Sequence, residues 1–426
     1  MNRARPRVVR GEGVYLFDDE GKRYLDASGG PLVVNVGHGR AEIAEAMRRQ
    51  ASAVGYAHGM MFTTDVIEEY AARLATWVPL RRARFYFLSS GSEVIEASLK
   101  LARQIQMARG ETSRHVIISR RQSYHGMTLG ALSVSGREGL RAPYVDMMSA
   151  AAHIDPPYPY RDARDGRTMA ALLEEKILEV GPGRVAAFLA EPISGASLGA
   201  VVPDDDYWPR VREICDRYGV LLIADEVLVG LGRTGRRWAI ERWGVRPDVL
   251  VASKGTAGGY FPLGFVAAEH DDVERLRLTL GDFNHGGTFS HHAVGAAAGL
   301  ATLEILETEE LVSRAARMGD LLRSALRQAF AAHPHVGEIR GEGLFFGIEL
   351  VADRTDKSPF DPGALVAPRV HEAAFAEGLI VYYSQGCADG RRGDVVMVGP
   401  PFVLAEDHMK EITDKLSIAL ARVTGI

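Results

Sequence analysis

Polar and charged residues stand at the ends of short apolar runs in the middle of the chain. Three of them are Glu191, Asp225 and Lys254, which follow the runs Val185–Ala190, Val220–Ala224 and Val249–Ala252. Such short runs with few charges are typical of strands buried on both faces of a sheet. In an open α/β sheet, ligands bind outside the carboxyl ends of the strands. The sequence therefore predicts one site that contains two carboxylates and an amine.

Lys254 is the one lysine of seven that lies between apolar runs. Burial disfavours a charged ammonium group, so its pKa should fall toward that of a usable amine. A neutral lysine amine can form an imine with an aldehyde. Taken alone, a lysine at the end of a strand more often extends to the surface and remains solvated.

A buried Asp225 needs a cationic or hydrogen-bonding partner. The pyridine nitrogen of pyridoxal 5'-phosphate (PLP) is one such partner, and a proton held on that nitrogen makes the ring an electron sink. A helix cap or a salt bridge is the alternative for this residue considered by itself.

Two more strand ends carry groups that suit a cofactor. The turn Ser89–Ser92 opens a predicted helix over Ser92–Ala108, and the N-terminus of a helix suits a phosphate. An ordinary N-cap with Glu93 in the first turn is the alternative. Tyr124, just beyond the run Val116–Ser119, could stack on a planar ring or belong to the core.

Alternation of strands and helices predicts a mainly parallel α/β sheet. The predicted strands are Arg84–Ser89, Val116–Ser119, Val185–Ala190, Val220–Ala224, Val249–Ala252 and Leu263–Ala268, and the helices between them include Ser92–Ala108, Met169–Glu179 and Asp206–Tyr218. Residues 49–320 are predicted to form this large domain.

The two ends of the chain are predicted to form a smaller α+β domain from residues 1–48 and 321–426. Gly13–Asp26 has the pattern of a hairpin that turns at Asp19–Gly21, and His291–Ala332 that of a long helical stretch. Beyond it, the predicted strands are Gly343–Val351, Leu379–Tyr383 and Val395–Val398, and the predicted helices are Pro368–Glu377 and Glu406–Val423.

Composition excludes several classes of function. The 426 residues carry a net charge of -5, so a nucleic-acid partner is not expected. No apolar window is long enough for a membrane span, and Met1–Arg10 contains four arginines without a following apolar region, so neither membrane insertion nor a signal peptide is expected. The two cysteines, Cys215 and Cys387, indicate a cytoplasmic setting and have no metal-ligand spacing.

The loop Gly230–Gly235 matches the G-x-G-x-x-G pattern of dinucleotide-binding sites. The context disfavours that interpretation, because Asp225 and Glu226 interrupt the strand before the glycines. No second strand that ends in an acidic residue appears about 20 residues later. A nicotinamide-dependent oxidoreductase is therefore only a remote alternative.

These segments resemble the class III (ω-amino) aminotransferases, PLP enzymes of fold type I, over nearly the whole chain. The segments that carry the resemblance are Phe87–Arg103, Tyr124–Gly126, Glu191–Pro192, Asp225–Val227, Ser253–Gly255, Pro262–Gly264 and His285–Ser290, with Arg340–Leu344 and Gly399–Phe402 in the small domain. The resemblance implies a mainly parallel sheet between helices, together with a smaller α+β domain built from both termini.

The resemblance also implies roles for individual residues. Lys254 would hold PLP as a Schiff base and then shuttle a proton, and Asp225 would bind the pyridine nitrogen. The other cofactor-binding residues that it implies are Ser90, Gly91, Ser92, Tyr124, His125, Glu191, Val227 and Thr288. Thr288 would reach the phosphate bound by a neighbouring subunit, which implies a homodimer or tetramer.

Two departures from the family pattern concern the substrate. Gly287 stands where many members have a bulky aromatic residue, which would widen the pocket. Tyr382 and Tyr383 stand where members that use oxo-acids often have an arginine for the carboxylate. Arg391 and Arg392 are candidates for that role, or else solvated loop charges. The candidate substrate contacts are Tyr56, Phe62 and Tyr382, although Tyr56 and Phe62 equally suit core packing.

The function predicted from the sequence is transfer of an amino group from an amine or ω-amino acid to an oxo-acid, with pyruvate as the first choice. The cycle would be ping-pong, because donor and acceptor react in turn at the same lysine. An aminomutase or racemase on the same scaffold is the main alternative.

Overall fold

The computed structural model describes residues 5–426. Residues 1–4 lie outside the described residues. They belong both to the predicted small domain and to the arginine-rich segment Met1–Arg10. The chain begins with strands β1 (Val8–Glu12), β2 (Tyr15–Asp18) and β3 (Arg23–Asp26), and β2 and β3 form the predicted hairpin. A short turn α1 (Gly29–Leu32) and helices α2 (Ala41–Ala53) and α3 (Asp65–Ala75) follow.

A seven-stranded sheet forms the centre of the molecule, in the order β4-β10-β9-β8-β7-β5-β6. Its strands are β4 (Ala83–Leu88), β5 (Val116–Arg120), β6 (Ala151–Ile154), β7 (Val185–Ala190), β8 (Leu221–Asp225), β9 (Val249–Ala252) and β10 (Gly264–Glu269). Only β10 runs antiparallel to its neighbours, so the prediction of a mainly parallel sheet is confirmed.

Helices cover both faces of this sheet, which explains why its strands have no polar face. The helices are α4 (Gly91–Ala108), α5 (Leu129–Val134), α6 (Glu138–Arg141), α7 (Gly166–Val180), α8 (Tyr207–Tyr218) and α9 (His270–Leu280). Successive side chains of a strand point to opposite faces. Phe188 and Leu222 accordingly pack in one apolar cluster with α7 and α8, whereas Leu189 and Ile223 pack in a second cluster with α4.

The predicted helical stretch His291–Ala332 is two helices, α10 (Ala293–Thr308) and α11 (Leu311–Phe330). Glu310 separates them with a left-handed φ of 50°. That conformation cannot continue a right-handed helix, so the chain changes direction there.

The C-terminal part contains β11 (Val336–Glu342), β12 (Phe345–Leu350), α12 (Val366–Ala376), β13 (Leu379–Ile380), β14 (Tyr382–Gln385), β15 (Asp394–Val398) and α13 (Glu406–Thr424). Strands β11, β12, β15 and β14 form one antiparallel sheet. The prediction of Leu379–Tyr383 as one strand is wrong, because β13 pairs with β3 whereas β14 pairs with β15.

The pairing of β3 with β13 joins the two ends of the chain in a four-stranded sheet. A smaller α+β unit built from both termini is therefore confirmed, whereas the boundaries at 48/49 and 320/321 remain predictions. Within residues 5–426, none of the helices combines the length and the apolar character that crossing a membrane requires.

Candidate active site

The carboxyl ends of the parallel strands converge on one cavity of about 180 Å³. β7, β8 and β9 lie side by side and run in the same direction, so their carboxyl ends share one edge of the sheet. The residues predicted from the sequence that line this cavity are Ser90, Gly91, Ser92, Tyr124, His125, Glu191, Asp225, Val227 and Lys254. The sheet thus brings most of the predicted site together.

Lys254 opens a short turn directly after β9 and has a left-handed φ of 50°. A lysine in this conformation is strained, and such strain persists only where the surrounding structure holds it. Desolvation lowers the pKa of Lys254 from 10.5 to about 8, against the opposing influence of Asp225 and Glu191. The side chain therefore provides a reactive amine inside the cavity.

Asp225, the last residue of β8, is paired with His125. His125 Nδ1 lies 2.6 Å from Asp225 Oδ2, and both side chains are buried. The backbone N–H of Val227 donates to Asp225 Oδ1 at 3.0 Å. These contacts hold the carboxylate in one orientation.

Glu191 is the second buried carboxylate of the cavity. Its Oε1 accepts a hydrogen bond from the backbone N–H of Gly195 at 3.1 Å, whereas Oε2 has no partner among the described residues. Desolvation raises the pKa of Glu191. A buried carboxyl oxygen without a partner is costly, which indicates that a polar ligand completes its hydrogen bonding.

Helix α4 points its N-terminus at the cavity, beginning at Gly91 after the cap Ser90. The first N–H groups of a helix have no partner within it and attract anions. Position 126, next to this N-terminus, requires glycine. Its φ is 133°, and a Cβ on Gly126 would lie 2.5 Å from Ser92 Oγ. That oxygen accepts a hydrogen bond from the N–H of Met127 at 3.0 Å. The result is a compact cradle of the size and polarity that suit a phosphate.

Tyr124 is half-buried and forms part of the cavity wall. Burial raises the pKa of Tyr124, nearby Tyr382 raises it further, and the positive charge of Arg137 acts in the opposite direction. Tyr382 does not line the cavity itself but stands beside this wall. Arg137 is a neighbour that the sequence did not single out.

The residues present fit PLP at each of its functional groups. Lys254 provides an amine for the aldehyde, Asp225 a buried carboxylate for the pyridine nitrogen, and the N-terminus of α4 an anion site for the phosphate. The sequence profile described as aminotransferase class-III matches residues 2–420. The chain belongs to the class III aminotransferases.

Relatives and solved structures agree with this membership. An uncharacterized aminotransferase of Schizosaccharomyces pombe is 40% identical over 98% of this chain and 92% of its own length. A putrescine–pyruvate aminotransferase of Pseudomonas aeruginosa is 36% identical over 97% of this chain and 89% of its own. The crystal structure of an ω-transaminase from Pseudomonas jessenii in complex with PMP has a TM-score of 0.92 and 33% identity, covering 99% of this chain and 93% of that one.

As a class III aminotransferase, the enzyme depends on PLP and has the architecture of fold type I. The loop that matched a dinucleotide pattern has a different task in this aminotransferase. A Cβ on Gly235 would lie 2.7 Å from Ala316 Cβ of α11, so the loop packs tightly against protein. Buried Arg233 donates to the backbone oxygens of Leu344 and Pro400 and thereby ties the loop to the C-terminal part.

Besides Tyr382, three predicted site residues of the aminotransferase lie outside the cavity. Thr288 is exposed in the segment between α9 and α10. Tyr56 is also exposed, and its ring centroid lies 6.5 Å from that of Phe289. Phe62 lines a separate surface cavity together with His291. A single chain therefore does not bring these residues to Lys254.

Proposed function

We propose that this class III aminotransferase moves an amino group from an amine or ω-amino acid to an oxo-acid, with pyruvate as the preferred acceptor. The observation that carries the proposal is the position of Lys254, which lines the same cavity as the buried Asp225–His125 pair. The name of the Pseudomonas aeruginosa relative, a putrescine–pyruvate aminotransferase, supports this choice of substrates.

When bound, PLP supplies an aldehyde carbon that reacts with amines and a ring that withdraws electrons from the substrate carbon. Lys254 Nζ is the group that would hold PLP through that aldehyde carbon until an amine substrate displaces it. Once free, Lys254 Nζ would act as the base that moves the proton of the substrate carbon. Its lowered pKa suits this task, because a base is most effective when its pKa lies near the working pH.

Asp225 would bind the ring nitrogen and favour its protonated form, and His125 keeps the Asp225 carboxylate oriented. Val227 would pack against the ring, and Tyr124 lines the same cavity. Glu191 contributes its unpartnered Oε2 to the polar side of the cavity. A carbonyl product leaves after the first half of the cycle, and the acceptor takes the amino group in the second half.

We also propose that the enzyme works as a homodimer in which Thr288 binds the phosphate of the cofactor in the neighbouring subunit. Large apolar side chains are exposed in two segments. One segment contains Phe289, the residue after Thr288, and the other contains Met60 and Phe62. Met60 is 90% exposed, Phe62 65% and Phe289 62%. Contiguous exposed apolar side chains of this size are typical of an interface.

A half-reaction tests the proposed function. Purified enzyme given an amine and no acceptor should lose the visible absorbance of its cofactor and release one equivalent of carbonyl product, and pyruvate should restore the absorbance. Conversion of the substrate to an isomer without any acceptor would instead show an aminomutase or racemase. Turnover that requires NAD(P)H would show an oxidoreductase.

A further inference from the structure

A second cavity of about 200 Å³ adjoins the cofactor cavity. Consecutive residues line the two cavities, which shows that the cavities are neighbours. Ala196 lines the cofactor cavity, and Ser197 lines the second cavity. The polar side chains that line the second cavity are those of Gln122, Arg137, Ser197, Gln385 and Arg391.

Two of these side chains have unused hydrogen-bond donors. Arg137 is half-buried, and its guanidinium makes no hydrogen bond or ion pair with any of residues 5–426. Ser197 is 3% exposed, and its Oγ has no partner among the same residues. Buried polar groups are normally satisfied, and an unpaired guanidinium and an unpaired hydroxyl that line one cavity form a donor set for an anion.

The other polar groups of the cavity are already engaged or lie at its rim. Gln122 Nε2 donates to the backbone oxygens of Gly386 and Cys387. Arg391 is exposed and lies 3.8 Å from Glu138. Arg392 does not line the cavity and is paired with Asp389 at 2.7 Å. Of the two arginines suggested by the sequence, one is thus at the rim and the other is elsewhere.

Arg137 is also close enough to the cofactor cavity for its charge to act on a residue that lines it. Its charge acts on Tyr124, the wall of the cofactor cavity, as does Tyr382. Tyr382 stands where an arginine for the carboxylate was expected from the family pattern. Arg137 therefore brings a positive charge to this wall from a different part of the chain, directly before α6.

We propose that Arg137 and Ser197 bind the carboxylate of the substrate, with Arg391 at the entrance, while the reacting carbon lies beside Lys254. The proposal rests on the proposed transaminase function. A guanidinium can donate two parallel hydrogen bonds to a carboxylate, and Ser197 Oγ can donate a third. The carboxylate can belong to an ω-amino acid donor or to an oxo-acid acceptor.

The experiment compares Arg137→Gln with wild-type holoenzyme on matched substrates. The donors are 4-aminobutanoate and butylamine, and the acceptors are pyruvate and acetaldehyde. We expect kcat/KM to fall roughly 10- to 100-fold for the substrates with a carboxylate, since a hydrogen bond to a charged group is lost. Butylamine and acetaldehyde should react as before, and Arg137→Lys should recover part of the loss.

The pattern of the losses identifies the source of the carboxylate. A loss confined to 4-aminobutanoate assigns the site to the donor, and a loss confined to pyruvate assigns it to the acceptor. The matched control is Arg121→Gln, because Arg121 is exposed, pairs with Asp155 and does not line the cavity. An equal loss for all four substrates, or no loss for any, would overturn the proposal.

A binding measurement separates this proposal from the proposed function. Calorimetric titration of the holoenzyme with butanoate, an unreactive carboxylate, should show binding that Arg137→Gln weakens and Ser197→Ala weakens less. Equal binding by wild type and Arg137→Gln, or no binding by wild type, would overturn the carboxylate site. Absence of transamination with every donor would contradict the proposed function, while this titration would still report on Arg137.

Discussion

His125 Nδ1 lies 2.6 Å from Asp225 Oδ2, although the two residues are 100 positions apart in the chain. The pair is buried, so its interaction is weakly screened and its geometry is stable. Because Asp225 also accepts the N–H of Val227, its carboxylate has little freedom to turn away from the cavity. This arrangement makes the charge and the orientation of Asp225 separately testable.

Asp225→Asn should slow the proton-transfer steps while PLP still binds. The neutral amide cannot stabilise a proton on the ring nitrogen, so we expect the rate of the amine half-reaction to fall about 10²- to 10⁴-fold. Stopped-flow absorbance with an excess of amine measures this rate. The control is Asp248→Asn. Asp248 immediately precedes β9, its carboxylate accepts a hydrogen bond from the N–H of Leu222, and it does not line the cavity. An unchanged half-reaction in Asp225→Asn would show that the ring does not need this charge.

Lys254→Ala should abolish both the visible absorbance of the bound cofactor and nearly all turnover. No other lysine lines the cavity, so no second amine is available to replace it. Lys176→Ala is the control, since Lys176 pairs with Glu179 on the surface and should be dispensable. Borohydride reduction followed by mass spectrometry checks the attachment. Labelling of Lys254→Ala by the reduced cofactor would contradict the assigned role.

The rate at which the apoenzyme captures PLP should rise with pH and level off above about pH 8. Burial lowers the pKa of Lys254 to about 8, so its reactive neutral form increases as the pH rises through that value. At pH 7 a pKa of about 8 leaves roughly 10% of the amine neutral, against roughly 0.03% for an unperturbed lysine. Stopped-flow mixing of apoenzyme with PLP between about pH 6 and 10 measures the profile. A rate that still rises steeply above pH 9 would indicate an ordinary lysine.

Gly126→Ala should reduce PLP affinity, whereas Gly110→Ala should leave PLP affinity unchanged. A methyl group there would lie 2.5 Å from Ser92 Oγ and displace the cradle at the N-terminus of α4. Gly110→Ala is a matched control, because Gly110 also has a positive φ, 87°, but has open space around it. Both variants should lose about 1 kcal/mol of unfolding free energy from the positive φ, and Gly126→Ala should lose more because its methyl group also clashes. Equal PLP affinities in the two variants would remove Gly126 from the phosphate cradle.

Phe62→Asp should shift the enzyme toward monomers, because it places a charge in the exposed apolar segment assigned to the interface. Sedimentation velocity measures the shift, and PLP affinity should fall with it if Thr288 of the neighbour holds the phosphate. Leu178→Asp on α7 is the control, since Leu178 is 57% exposed on another helix. A wild-type monomer with full activity would contradict the shared site.

Much of the site could be predicted from the sequence because it depends on local patterns. Buried runs with few charges identify the strands, and parallel strands bring their carboxyl ends to one edge. Glu191, Asp225 and Lys254 therefore had to meet once the strands were parallel neighbours. The phosphate cradle was predictable for the same reason, since Gly91 stands where a strand ends and a helix begins.

Features that depend on contacts distant in the chain appear only in the tertiary structure. Leu379–Tyr383 has the pattern of one strand, yet its halves pair with different sheets, because each half meets a different partner. The contact of His125 with Asp225 likewise depends on how the loop after β5 folds back over β8.

The sequence by itself determined the class of chemistry, since residue types at strand ends decide what an α/β site can do. Only the tertiary structure decided which groups remain without partners, because hydrogen bonding is settled when distant segments pack together. Arg137 and Ser197 have no distinguishing pattern in the sequence, and they become a candidate carboxylate site only through their positions around one cavity.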